Sequence, residues 1–267
     1  MISVQTNVSS MFAQENLRVN GNFQAQTILR LTSGYRINQS GDDAAGLGVA
    51  NKYRSSIAEL TQGVRNANDA VSQLQIIDGG LNNISKMLDR MKTLATQSAS
   101  DTFTGDRATL DAEYTDVMAE IDREASNIGL DTGGTWAKSL SVYIGGTTAT
   151  ETVDLSAGEV DTAALGTATD ITDVTNATAA LGEIDAALST LSTVQGTVGS
   201  GQNKLSYATD LANSQITNYS AAQSRIRDAD MASEAANLTK AQVLQQASIA
   251  AMAQANSAPQ AVLSLLK

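Results

Sequence analysis

Two pairs of carboxylates, Asp42 with Asp43 and Asp228 with Asp230, are the groups of this 267-residue chain best placed by type and spacing to do chemistry. Acids this close could hold a divalent cation. Neither pair has the spacing of an EF-hand loop, and acids beside a helix start more often accept backbone N–H groups as caps. Gly46-Leu47-Gly48, followed by Val49, Ala50 and Asn51, is a truncated form of a dinucleotide fingerprint. Its third glycine is missing and no buried parallel strand precedes it, so it reads as a linker. Six Asn-x-Ser/Thr triplets, Asn83-Ile84-Ser85 among them, fall mostly in helical sequence and are expected by chance in a chain rich in Ser and Thr. The chain has neither histidine nor cysteine, which removes imidazole bases, thiolate nucleophiles, disulfide frameworks and nearly every zinc site. No catalytic, cofactor-binding or metal-binding residue is assigned, and no enzyme is expected.

Composition narrows the partners as well. A formal charge of −11 and the absence of a basic patch predict no nucleic acid and no membrane partner. The start, MISVQTNVSSMFAQENLRVN, has no basic segment followed by an apolar run, and no stretch approaches the roughly 20 apolar residues of a membrane span. The sequence therefore predicts a protein without a Sec-type export signal. Hydrophobic residues make up 42% of the chain, but only ten are aromatic, so Ala, Leu, Ile and Val must build the core. That composition suits narrow seams between helices. The sole proline is Pro259, which leaves long helices uninterrupted through the first 258 residues.

Those helices are written as heptads. Leu60, Ala67, Leu74, Leu81, Leu88 and Ala95 recur every seven residues. A second stripe of Ile57, Val64 and Val71 slips by one position and resumes at Ile77, Ile84 and Met91. The pattern predicts one helix from about Ser55 to Ser98. Later, Ile184, Leu191, Val198, Leu205, Ala212, Tyr219 and Ile226 hold seven consecutive heptad positions, a stretch of about 60 Å at the helical rise. Between them Leu110, Tyr114, Val117, Ile121 and Ile128 predict a third, shorter amphipathic helix. The packing seam is expected at Leu60, Leu74, Leu81, Leu88, Ile184, Leu191, Val198, Leu205, Tyr219 and Ile226.

Residues 131–180 differ in kind, with 15 Ser or Thr, one Lys and seven acidic residues, and read as solvent-facing. Within them Leu140, Val142 and Ile144 alternate with polar residues, Gly145-Gly146 signals a turn, and Val153 and Leu155 alternate again. This predicts a two-stranded hairpin, which must lie on the helices because a lone hairpin is marginal in water. Both chain ends carry more apolar surface than an amphipathic stripe needs. Val8, Phe12, Phe23 and Leu31 stand near the start, and Leu244, Ile249, Val262, Leu263 and Leu266 near the end. The two ends could cover one another, but the surplus more plausibly meets other subunits in a head-to-tail contact that generates a helical polymer. The fold expected is mainly α: long antiparallel heptad helices in a coiled-coil bundle, a small β-hairpin, and terminal helices paired with each other.

Specific motifs sharpen this reading. Leu31-Thr-Ser-Gly-Tyr-Arg-Ile-Asn38, Gly41-Asp-Asp-Ala-Ala-Gly46 and Arg65-Asn-Ala-Asn-Asp69 closely resemble the N-terminal signature of bacterial flagellins. Ser224-Arg-Ile-Arg-Asp-Ala-Asp230, Gln245-Gln246, Ala253-Gln-Ala-Asn256 and Ala258-Pro-Gln-Ala-Val-Leu-Ser-Leu-Leu266 resemble the C-terminal one. The resemblance covers about residues 1–130 and 180–267 and implies a short flagellin without a large outer domain. It implies that residues 1–45 and 231–267 pair as the inner-tube domain. Residues 46–130 and 181–230 would then give the helices of the surrounding layer, with 131–180 as its hairpin and exposed loops. It further implies self-assembly into the extracellular flagellar filament, export through the flagellar type III apparatus, and dealings with an export chaperone, a filament cap and hook-filament junction proteins. Surface Ser and Thr between 131 and 180 would be candidates for O-glycans. Arg90, Leu94, Gln97 and Glu113 match the family's pattern for contact with the innate-immune flagellin receptor, although Thr93 stands where an acidic residue is usual and Met91 where a smaller aliphatic is. Packing between subunits is the other reading of these four residues. Two other functions remain open to the sequence: a hook-filament junction adaptor, whose terminal motifs usually diverge from those here, and a soluble coiled-coil scaffold.

Overall fold

The computed structural model describes residues 6–145, 150–156, 158–167 and 169–265, with side chains up to Ser257. It is 76% helical. The elements run α1 (Val8–Ser33), α2 (Ala44–Ser98), α3 (Arg107–Asn127), β1 (Ser139–Tyr143), β2 (Thr150–Asp154), α4 (Thr162–Leu165), α5 (Val174–Arg227) and α6 (Met231–Leu265). Residues divide into two compact units, one formed by the chain up to Ser55 and from Asn218 onward, the other by Ser56–Thr217.

Local sequence sets the helix ends. The Asn7 side chain accepts the Ser10 N–H at 3.1 Å and starts α1. Gly34 ends it at φ 74°, a left-handed position that a residue with a Cβ resists, and returns its N–H to the Arg30 carbonyl. Asp106 caps α3 by accepting the Ala108 N–H, and Asp173 accepts the Asn176 N–H in the first turn of α5. Helix α2 begins at Ala44, eleven residues before the expected Ser55. The Gly46-Leu47-Gly48 stretch is thus helix and not the linker that its glycines suggested. Asp43 accepts the Gly46 N–H at 2.8 Å, and a cap of this kind offsets the low helix propensity of two glycines. A Cβ at Gly46 would also press on the Asp43 carboxylate at 2.4 Å and on the end of the Ile37 side chain at 2.9 Å. The short α4, capped by Asp161, had no counterpart in the periodicity.

In the unit of residues 56–217 the heptads form the interior. Leu60, Leu74, Leu81 and Leu88 of α2 are buried together with Ile184, Leu191, Val198 and Leu205 of α5. At about 2 kcal/mol for each such side chain, this seam is the main favourable term in the unit. The slipped stripe is half-buried at Ile57, Val64 and Val71 and fully buried at Ile77, Ile84 and Met91. Helix α3 adds Tyr114 and Ile121. It is tied to α2 by Arg90 with Glu113, at 2.8 Å from Nε, and by Asn83 with Glu124 at 3.0 Å. Lys92 of α2 meets Asp185 of α5.

The hairpin has the expected antiparallel pairing, with Leu140 opposite Val153 and Val142 opposite Glu151. Gly145 stands at φ 127° in the connection, and Gly146, the other half of the turn signal, lies outside the described residues. Its strands rest on helices at glycine seats: Ile144 approaches Gly63 of α2 so closely that a Cβ would strike its carbonyl, and Val153 packs on Gly201 of α5. Asn66 donates to the Tyr143 carbonyl at 3.0 Å, and Lys204 faces Glu151 at 3.9 Å. Since β1 meets α2 near residue 63 and β2 meets α5 near residue 201, while Lys92 meets Asp185, α2 and α5 run antiparallel through this unit.

Candidate functional site

In the other unit α1 and α6 lie along each other in antiparallel directions. Three polar contacts mark the course of the pair. Asn7 Nδ2 donates to the Ala255 carbonyl at 2.7 Å, Asn20 Nδ2 to Ser248 Oγ at 2.9 Å, and Arg30 approaches Glu234 at 3.5 Å. The residues buried along these helices are small or polar: Ser10, Ala13 and Thr27 on α1, Glu234 and Ala241 on α6. Small side chains let two helices approach closely, and between them Leu17, Leu238 and Met252 are half-buried.

The outward faces are apolar. On α1, Val8, Met11 and Phe12 follow helical spacing, with Met11 61% and Phe12 68% exposed, and Val19, Ile28 and Leu29 are exposed further on. On α6, Met231, Val243, Leu244 and Ile249 are exposed, Val243 to 60%. Phe23 and Leu31 are half-buried. The side chains of Val262 and Leu263, and the whole of Leu266, lie outside the described residues. Scattered apolar residues on a surface are ordinary, but ten on two paired helices form a face that water alone covers poorly.

At one end of this pair the signature motifs meet in space. The segment 34–38 runs beside 226–229: the Arg36 N–H donates to the Arg227 carbonyl at 2.6 Å, the Ala229 N–H to the Gly34 carbonyl at 2.9 Å, and the Arg36 guanidinium to the Ile226 carbonyl at 2.8 Å. The Arg227 guanidinium stacks 4.1 Å above the Tyr35 ring, and Tyr53 stacks on Tyr219 at 5.5 Å. That stack leaves Tyr219 half-buried, as is Ile226, in contrast to the fully buried heptad positions from Ile184 to Leu205. Periodicity alone did not reveal this corner. The clue in the sequence was the pair of motifs, whose residue types serve main-chain contacts and not a stripe.

The carboxylates act as local acceptors here. Asp42 receives the N–H groups of Asn38 and Gln39 at 3.0 and 3.2 Å and the Gln26 amide at 3.1 Å. The two backbone donors hold its carboxyl below the usual carboxylate range. Asp230 accepts the Ala232 and Ser233 N–H groups at the start of α6, and Asp228 accepts the Ser224 hydroxyl at 2.6 Å. Among the described residues no three His, Cys, Asp or Glu side chains gather as metal ligands, and no helix is long and apolar enough to cross a membrane.

The remaining quartet divides. Arg90 and Glu113 are exposed and joined across α2 and α3, and Gln97 is exposed on α2. Leu94 is 1% exposed and belongs to the interior.

Comparison with known proteins decides what such an arrangement belongs to. The bacterial flagellin N-terminal helical region matches residues 4–141, and the flagellin C-terminal helical region matches residues 181–266. The chain belongs to the bacterial flagellin family. A flagellin of Halalkalibacterium halodurans is 37% identical, covering 99% of each chain. The flagellar filament 33 kDa core protein of Treponema phagedenis is 36% identical, also over 99% of each. A crystal structure of Bacillus cereus flagellin aligns with 60% of this chain and 94% of its own at 32% identity and a TM-score of 0.49. Members of this family are structural subunits that assemble into the flagellar filament, not enzymes, so the chain is a filament subunit and the junction-adaptor and scaffold readings fall behind.

Proposed function

We propose that the outward apolar faces of α1 and α6 are the surface through which copies of this chain stack into a helical tube. The observation that carries this reading is the layout of the pair, with Ala, Ser and Thr fully buried, Leu17, Leu31, Leu238 and Met252 half-buried, and Met11, Phe12 and Val243 facing out. A head-to-tail contact whose rotation does not close generates a filament. Residues 1–45 and 231–267 then form the inner tube, and the helices of 46–130 and 181–230 the layer around it. The polar, acidic segment 131–180 faces solvent, where its Ser and Thr hydroxyls could accept O-glycans. A helix pair whose outer cover comes from neighbours opens readily in the free chain until assembly supplies that cover. Brief proteolysis of the free chain is therefore expected to remove roughly residues 1–45 and 230–267 and to abolish elongation of filament seeds. Termini as protease-resistant as residues 56–217, in a chain that never lengthens seeds, would defeat this reading.

The finer partners belong to the same proposal. Export through the flagellar type III apparatus, delivery by a chaperone, and contact with the cap and junction proteins follow from the family resemblance. Contact with an innate-immune receptor would run through Arg90, Gln97 and Glu113, with Leu94 supporting them from beneath. Binding of the receptor ectodomain to the wild-type chain and to Arg90→Ala tests this, and unchanged affinity in the variant would remove the surface from consideration.

A further inference from the structure

We propose that the Arg30–Glu234 ion pair sets the register of α1 against α6. The inference rests on the reading of these helices as the assembling layer, and it concerns what holds the pair in one alignment. A seam of Ser10, Ala13, Thr27 and Ala241 offers little to distinguish one alignment from another one helical turn away. Small residues recur along both helices, and the larger Leu17, Leu31, Leu238 and Met252 are only half-buried. Polar groups that are satisfied in one alignment only discriminate more sharply than such partial apolar contacts.

Glu234 is 8% exposed, and it is the one charged residue buried along the pair among the described residues. Its Oε1 faces Arg30 Nη1 at 3.5 Å, and that arginine is itself largely covered. Glu234 Oε2 and Arg30 Nε are buried with no hydrogen-bond partner among the described residues. Sliding α6 by one turn would take the carboxylate away from Arg30 and leave it buried and unpaired, a penalty larger than the loss of a neutral contact in the seam. A buried ion pair contributes little net stability over apolar residues of similar size, but it penalises every wrong alignment, which is how buried polar groups fix register in coiled coils. The two amide contacts, Asn7 to the Ala255 carbonyl and Asn20 to Ser248, agree with the same alignment but are neutral and less costly to lose.

The native chain has no cysteine, so introduced thiols report register cleanly. Full-length chains carrying Asn20→Cys with Ser248→Cys, or with Leu244→Cys or Met252→Cys one turn to either side, are treated with a short bifunctional thiol reagent, both free and after growth on filament seeds. In the otherwise native background the 20–248 pair should cross-link about tenfold faster than either shifted pair, the ratio left by one unpaired charge partly screened by solvent. The apolar replacement Arg30→Met with Glu234→Leu should reduce that preference to less than about threefold while the helices still pair. The exchanged pair Arg30→Glu with Glu234→Arg should restore it. Retention of the full preference in the apolar variant would overturn the proposal. So would its absence in the native background, or failure of the exchanged pair to restore it. Elongation of seeds is scored separately: a chain that keeps its register yet never elongates counts against the assembly reading and not against the ion pair.

Discussion

Single side chains carry distinct and separable tasks in this chain. Leu205 is fully buried at the centre of the heptad seam. Leu205→Asp should place an unpaired charge there and cost about 4 kcal/mol or more, which denaturant unfolding followed by circular dichroism would register as loss of the cooperative transition in residues 56–217. Gly63 and Gly201 are seats for the hairpin, because a Cβ at either would strike Ile144 or Val153. Gly63→Ala is expected to lift β1 from α2 while leaving the long helices intact, seen as faster amide exchange confined to 139–154. Tyr114 is buried with no hydrogen-bond partner for its hydroxyl among the described residues, and burial, helped by the nearby Glu183 and Asp111, raises its pKa to about 12. Folding thus favours the neutral phenol. Its contribution is complete below the unfolded value near 10 and is lost as pH rises through the folded value, so alkaline unfolding should fall in that window. Tyr114→Phe should shift the transition to higher pH and cost little at neutral pH, since no hydrogen bond is removed.

The elements show which of these facts the sequence announces. Heptad positions from Leu60 to Leu88 and from Ile184 to Leu205 are legible because a buried helical face must repeat, and burial follows the repeat closely. The start of α2 was hidden because glycine count argues against helix while the deciding interaction, Asp43 accepting the Gly46 N–H, lies just outside the periodic stretch. Removing that cap with Asp43→Ala should lower stability by about 1 kcal/mol, measured as a shift of the thermal midpoint. The corner joining 34–38 to 226–229 was legible only as two resembling motifs, since main-chain pairing across some 190 residues leaves no local pattern. The strands could be read from alternation, whereas their seats on Gly63 and Gly201 could not, because a glycine in a helix looks like a weakness until its neighbour is known. Likewise the sequence displayed the surplus of apolar residues at both ends without revealing that α1 and α6 would bury mainly their small residues and leave Met11, Phe12 and Val243 exposed.

Over the whole molecule charge divides as sharply as structure. Residues up to 55 and from 218 carry nine basic and six acidic side chains, a net +3, whereas residues 56–217 carry eight basic and 22 acidic, a net −14. In the proposed tube the strongly acidic units of neighbouring copies lie side by side and repel, and the apolar faces of α1 and α6 must outweigh that repulsion. Seeded elongation should therefore quicken several-fold as salt rises from about 0.01 M to about 0.15 M, where the Debye length shrinks from about 30 Å to about 8 Å. Neutralising exposed acids such as Asp69, Asp116 and Asp210 should flatten this dependence. With no histidine or cysteine, hardly any group changes charge between the carboxylate range and the alkaline range, so elongation should vary little from about pH 6 to about pH 9.

The outward apolar face of the terminal helices is tested most directly by electron cryo-microscopy of the purified chain grown on filament seeds. The expected images are continuous tubes in which Met11, Phe12 and Val243 are covered by neighbouring copies. Discrete particles alone, or tubes in which those side chains remain open to solvent, would contradict it.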